Sequence, residues 1–82
     1  MPNSPTTLLF LYQYLAEHYN LLGQAEKAMG YVEKAIVFGQ TLPELYTLKG
    51  KVCKSSGDLF AAAEAYEEAR RLDLADRYLN TR

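Results

Sequence analysis

The sequence predicts an all-α protein: two tandem helix–turn–helix units, making four antiparallel helices, followed by the start of a fifth. Three observations lead there. Apolar residues recur at helical spacing through most of the chain, a 34-residue shift lays one half on the other, and no stretch alternates as a strand would. The shift aligns Leu11 with Leu45, Tyr12 with Tyr46, Gly23 with Gly57, Ala28 with Ala62, Glu33 with Glu67 and Ala35 with Ala69. In the same register Ala16 falls on Gly50 and Val32 on Tyr66. Small residues thus return at small positions, as a stacking repeat requires. Residues from about 5 to 40 form the first unit, 41–74 the second, and 75–82 open the next helix.

The elements follow in order. Leu8, Leu11, Tyr12, Leu15, Ala16, Tyr19 and Leu22 make a helical stripe, with Ser4 as N-cap, Pro5 at the first helical position and Gly23 as the stop. A second helix is expected from about Gln24 to Phe38, its inner face Ala25, Ala28, Val32, Ala35 and Ile36, with Gly39 as its C′ stop. Thr41 and Glu44 have the spacing of a capping box for a third helix that ends near Ser55 or Ser56. Gly57 and Asp58 turn the chain and cap a fourth, which carries Ala61, Ala62, Ala65, Tyr66 and Ala69 inward. Arg70 and Arg71 suit its last turn, where they complement the helix dipole. Asp73 then reads as the N-cap of the fifth helix.

Composition narrows the function classes. A chain of 82 residues buries only about 60–65% of its unfolded surface, so its stability is marginal. Hydrophobic residues at 49% and charged ones at 23% argue for a folded chain rather than a disordered one. Nine Lys and Arg against ten Asp and Glu leave a net charge of −1, without the basic footprint of a DNA-binding protein. No apolar run is long enough to span a membrane, and MPNSPTT has neither the basic nor the apolar region of a signal peptide. One cysteine, Cys53, fits a reducing, cytoplasmic setting. With one His and one Cys, a zinc site lacks ligands.

The repeat resembles the tetratricopeptide repeat, an α-solenoid unit. In that family's motif the first helix carries a bulky residue, then Leu and Gly, then Tyr. Tyr12, Leu15, Ala16 and Tyr19 take those places in the first unit, and Tyr46, Lys49, Gly50 and Cys53 in the second. The second helix carries Ala, a bulky residue and Ala, matched by Ala28, Val32 and Ala35, then by Ala62, Tyr66 and Ala69. Two departures stand out: the closing Pro is replaced by Gln40 and Leu74, and Lys49 stands at a usually apolar place.

A closer resemblance rests on TLLFLYQYLAEHYNLLGQ, TLPELYTLKGKVCKSSGD and AAAEAYEEARRLDLADRYLNTR. These segments are similar to one internal region of the auxiliary subunit family of the NatA amino-terminal acetyltransferase. Residues Leu72 to Asn80 are the most specific part, and Lys49, Lys51, Lys54 and Gly57 also match. The resemblance implies a non-catalytic scaffold within a long superhelix that holds the acetyltransferase subunit and links it to the ribosome. It implies no cofactor here, acetyl-CoA belonging to the catalytic partner. In such complexes an inositol polyphosphate lies between subunits, and Lys49, Lys51 and Lys54 are candidates to contribute to that anion site. The alternative is a free-standing adaptor that binds an extended peptide in its concave groove.

The residues themselves point to binding and away from catalysis. Cys53 matches Tyr19 in the repeat and reads as a small buried hydrophobe. His18 has no companion ligand, and Asp73 with Asp76 fits a helix start better than an acid–base pair. Glu64, Glu67 and Glu68 with Arg70 and Arg71 read as a solvated face. In a solenoid the first helix of each pair lines the concave side. Its free face would comprise Phe10, Gln13, Tyr14, Glu17 and Asn20 on the first helix, and Glu44, Thr47, Leu48, Lys51 and Lys54 on the third. Phe10 and Tyr14 are aromatic anchors for a protein partner, or they pack on a further repeat. Gln13 and Glu17 stand where repeats that grip acidic chaperone tails carry Lys and Asn, which argues against that ligand. Open ends of so short an array are expected to self-associate.

Overall fold

The computed structural model describes residues 4–80, with side chains to residue 75. Four helices follow one another: α1 (Pro5–Leu21), α2 (Ala25–Phe38), α3 (Pro43–Ser55) and α4 (Leu59–Asn80), with no strand among the described residues. α1 pairs with α2 and α3 with α4, while α3 also packs on α2 and, more lightly, on α1. The result is a slab of 43 × 40 × 16 Å.

Helix ends obey the repeat. Ser4 caps α1, its Oγ accepting from the Thr7 N–H at 3.2 Å, and Pro5 follows in the first turn. α1 and α3 end alike. Gly23 at φ 81° and Gly57 at φ 90° take the left-handed conformation that glycine adopts without strain. The N–H groups of Gly23 and Gln24 then reach the carbonyls of Asn20 and Tyr19, and those of Gly57 and Asp58 reach Lys54 and Cys53. Both ends are therefore Schellman caps. Asp58 adds a side-chain cap, its Oδ1 accepting from the Ala61 N–H at 3.0 Å. Asp58→Ala is expected to lower stability by about 1 kcal/mol, seen as a fall of about 4–8 °C in melting temperature. An unchanged melting curve would show that water replaces the cap without loss.

Three expectations need correction. Thr41 and Glu44 form no capping box: the N-cap of α3 is Leu42, without a side-chain cap hydrogen bond. Leu42, itself exposed, lays its Cδ1 beside Gly39, and Pro43 starts the helix one residue later than expected. Gly39 is the C-cap of α2 rather than its C′ residue, with φ −144°; it is small because a Cβ there would lie 2.6 Å from Leu9 Cδ1 and 2.8 Å from Leu42 Cδ1. Finally, no fifth helix begins at Asp73. α4 runs unbroken to Asn80, since no Gly or Pro interrupts residues 59–80 and Leu74 replaces the closing Pro. Arg70 and Arg71 accordingly lie mid-helix, paired with Glu67 and Glu68. Asp76 lies outside the described side chains.

The core comprises two apolar clusters. Ala16, Ala28, Val32, Leu48 and Val52 form one, and Leu9, Ala35 and Leu45 form the other, at the joint of α1, α2 and α3. In the second hairpin Ala62, Ala65 and Ala69 are buried on α4. The matched positions exchange volume between the units. Ala16 shares a cluster with Val32, whereas Gly50 lies under Tyr66, so close that a Cβ would be 2.7 Å from its ring. A larger residue on α4 is balanced by a smaller one on α3, which conserves filled volume.

Candidate functional site

The expected partner-binding residues divide by environment. On α1, Phe10 and Tyr14 are 63% and 65% exposed, Glu17 is exposed, and Gln13 and Asn20 are half-buried. The Asn20 Oδ1 is covered and finds no hydrogen-bond partner. On α3, Glu44, Lys51 and Lys54 are exposed and Thr47 is half-buried. Leu48 does not belong with them: it is 5% exposed and sits in the core with Ala16, Val32 and Val52. The docking of α3 on α2 covers it. A groove of about 250 Å³ brings Phe10 and Gln13 together with Glu44, floored by Leu9, Leu42 and Leu45. Thr47 and Glu44 line a separate hollow beside Tyr66, Arg70 and Asp73.

The three lysines of α3 do not share one patch. At about 100° per residue, Lys49 lies about 160° around the helix from Lys51. Lys49 is half-buried on the Cys53 side, while Lys51 and Lys54 are exposed together. Cys53 is 4% exposed. Burial pushes its thiol pKa up, the nearby Lys49 charge opposes this, and Asp58 and Glu33 reinforce it. The thiolate is the reactive form. Alkylation by iodoacetamide at pH 8 is therefore expected to be much slower in the folded chain than in denaturant, and equal rates would place Cys53 outside the core.

Repeat register explains the exposed face of α1. Moving Leu45, Leu48 and Val52 back by 34 residues gives Leu11, Tyr14 and His18. The α3 trio is buried against the first hairpin, at 0%, 5% and 0% exposure. Leu11 and Tyr14 are 48% and 65% exposed, with His18 stacked on Tyr14 at 6.3 Å. This face of α1 has the register of a hairpin-docking surface.

One feature escaped the sequence reading. Tyr19, Tyr31, Tyr12 and Phe38 alternate between α1 and α2 as a ladder of near-parallel rings, with centroids 5.6, 6.1 and 6.2 Å apart. Lys27 lies over Tyr19 at 5.2 Å, and Lys34 over Tyr31 at 5.4 Å and Tyr12 at 5.7 Å. The signal was present: Tyr12 and Tyr19, Lys27 and Lys34, and Tyr31 and Phe38 are each seven residues apart, two helical turns.

With this geometry in view, the chain compares with known proteins as follows. The family model described as N-terminal acetyltransferase A, auxiliary subunit, matches residues 1–82. The chain belongs to the NatA auxiliary subunit family. It is 44% identical over 77 residues to the auxiliary subunit of the N-terminal acetyltransferase A complex of Arabidopsis thaliana, covering 94% of this chain and 9% of that protein. It is also 44% identical over 78 residues to human N-alpha-acetyltransferase 16, NatA auxiliary subunit, covering 95% of this chain and 9% of the human protein. The mouse counterpart is 42% identical over the same length, 95% of this chain and 9% of its own. This NatA auxiliary segment thus spans about a tenth of the length of these relatives. No solved structure matches it significantly. Among the described residues no helix is long and apolar enough to cross a membrane.

Proposed function

We propose that this segment serves a non-catalytic scaffold that holds a catalytic acetyltransferase subunit and links it to the ribosome in the cytoplasm. The observation that carries the reading is the family match along the whole chain, joined to a hairpin stack that leaves a groove and an aromatic face open. In this reading Phe10, Gln13, Tyr14, Glu17, Asn20, Thr47, Lys51 and Lys54 meet protein partners. Acetyl-CoA is bound by the catalytic subunit. Lys51 and Lys54 supply charge to an anion such as an inositol polyphosphate, with Lys49 approaching from the other side of α3.

Purifying the tagged parent protein from its own cells and identifying what accompanies it tests the scaffold. An acetyltransferase subunit in near-equal amount, with ribosomal proteins lost as salt rises, is the expected result. Chaperones or unrelated enzymes without an acetyltransferase would favour the peptide-binding adaptor instead.

The Leu11–Tyr14 face takes another helical hairpin, and in the isolated chain a second copy supplies it. Sedimentation is expected to show concentration-dependent association, weakened by Tyr14→Glu. A strictly monomeric chain at high concentration would remove this part of the proposal.

A further inference from the structure

A hollow of about 260 Å³ opens on the outer face of the first hairpin, lined by Tyr19, Lys27, Gly30, Tyr31 and Lys34. We propose that it binds an acidic peptide segment of a partner protein. A carboxylate enters between Lys27 and Lys34 while a neighbouring apolar side chain lies against the Tyr19 and Tyr31 rings. This site lies away from the α1–α3 groove, and the inference does not depend on the scaffold reading.

Gly30 is the first argument. It stands exposed in the middle of α2, without positive φ, and a Cβ there would meet nothing within 4 Å. Neither backbone conformation nor packing calls for glycine, and mid-helix glycine is disfavoured against alanine. What its missing side chain does is keep the floor of the hollow open between the two lysines.

The second hairpin serves as an internal control. Its residues at the positions of Tyr19, Lys27, Gly30, Tyr31 and Lys34 are Cys53, Ala61, Glu64, Ala65 and Glu68. The same helix pair therefore forms with only Tyr46 left of the ladder residues and none of the lysines. Folding of the unit does not require the cluster in the first hairpin.

Charge and size select the ligand. The lining holds two cations and no acid, and each ammonium is held over a tyrosine ring before any ligand arrives. A long polyanion such as RNA fits poorly: Glu26 and Glu33 are exposed on the neighbouring strip of α2, and the chain as a whole carries −1. Single carboxylates spaced along a peptide meet the lysines without running along that strip, and the hollow has room for one such side chain with an apolar neighbour.

The test is a titration of the full chain at low salt with a capped octapeptide of alternating Glu and Leu, followed by two-dimensional NMR and calorimetry. Saturable binding is expected, with shifts centred on Lys27, Gly30 and Lys34. A peptide with Gln for Glu, and the variant Lys27→Gln/Lys34→Gln, are each expected to bind at least about tenfold more weakly, as charge-dependent recognition requires. Gly30→Leu fills the hollow and is expected to lose binding to a similar degree while melting at or above the wild-type temperature, which separates blocked binding from misfolding. The proposal is overturned by any of three results: no saturable binding of the Glu peptide, equal affinity for the Gln peptide or in Gly30→Leu, or tighter binding of an oligouridylate of the same length.

Discussion

Leu45→Ala is expected to lower unfolding stability by about 3–5 kcal/mol, the upper range for a buried leucine truncation. Leu45 is fully buried and closes the joint where Leu9 of α1 and Ala35 of α2 meet α3, with Tyr12 and Ile36 packed around them. The seam between the two hairpins runs through this side chain. Stability of an 82-residue domain is about 4–12 kcal/mol by size alone, so the loss is a large share of the total. Stacked repeats hold together through nearest-neighbour interfaces. The variant should therefore unfold at much lower urea, with the two hairpins less tightly coupled. A loss below about 1 kcal/mol would mean that the joint collapses around the cavity and that the seam is held elsewhere.

Gly39→Ala is expected to cost about 1–3 kcal/mol, as overpacking of a filled site does. Gly39 is not in the left-handed conformation that favours glycine, and the penalty argued for alanine is the steric one. The new methyl would press on Leu9 and Leu42 and stand 3.2 Å from Leu45 Cδ1. Leu9 and Leu45 are buried and have little freedom to give way, whereas Leu42 is 38% exposed. Thermal melts should show Gly39→Ala well below wild type and Gly39→Ala/Leu42→Ala recovering part of the difference relative to Leu42→Ala alone. Full stability in the single variant would show that the three leucines move aside freely.

The four helices and several of their ends were legible because their causes are local. Ser4, Pro5, Gly23, Gly57 and Asp58 act within a turn of themselves, and each does in the structure what its residue type suggests. Cues without a local cause failed. Asp73 resembles an N-cap, but nothing before it breaks α4. Thr41 has the capping spacing, but Leu42, whose Cδ1 lies beside Gly39, takes the N-cap position and Pro43 the first turn of α3.

Of the candidate site, the open face of Phe10, Tyr14, Glu17, Lys51 and Lys54 was legible, and the burial of Leu48 was not. A stripe read along α1 finds the side turned toward one neighbour, α2. It places Leu11 inside and passes over Leu9, yet Leu9 is 6% exposed and Leu11 is 48% exposed. The same holds for the lysines that hover over a ladder built from two helices at once. The sequence by itself determined the 34-residue period, the four helices and most of their caps, because hydrogen bonds, φ preferences and helical periodicity operate over a few residues. Only the tertiary structure decided which leucines are covered, why Gly39 must be small and where the tyrosines and lysines converge. Those outcomes depend on how α3 crosses the first hairpin and how α1 meets α2, and a second buried face on one helix leaves no separate period in its sequence.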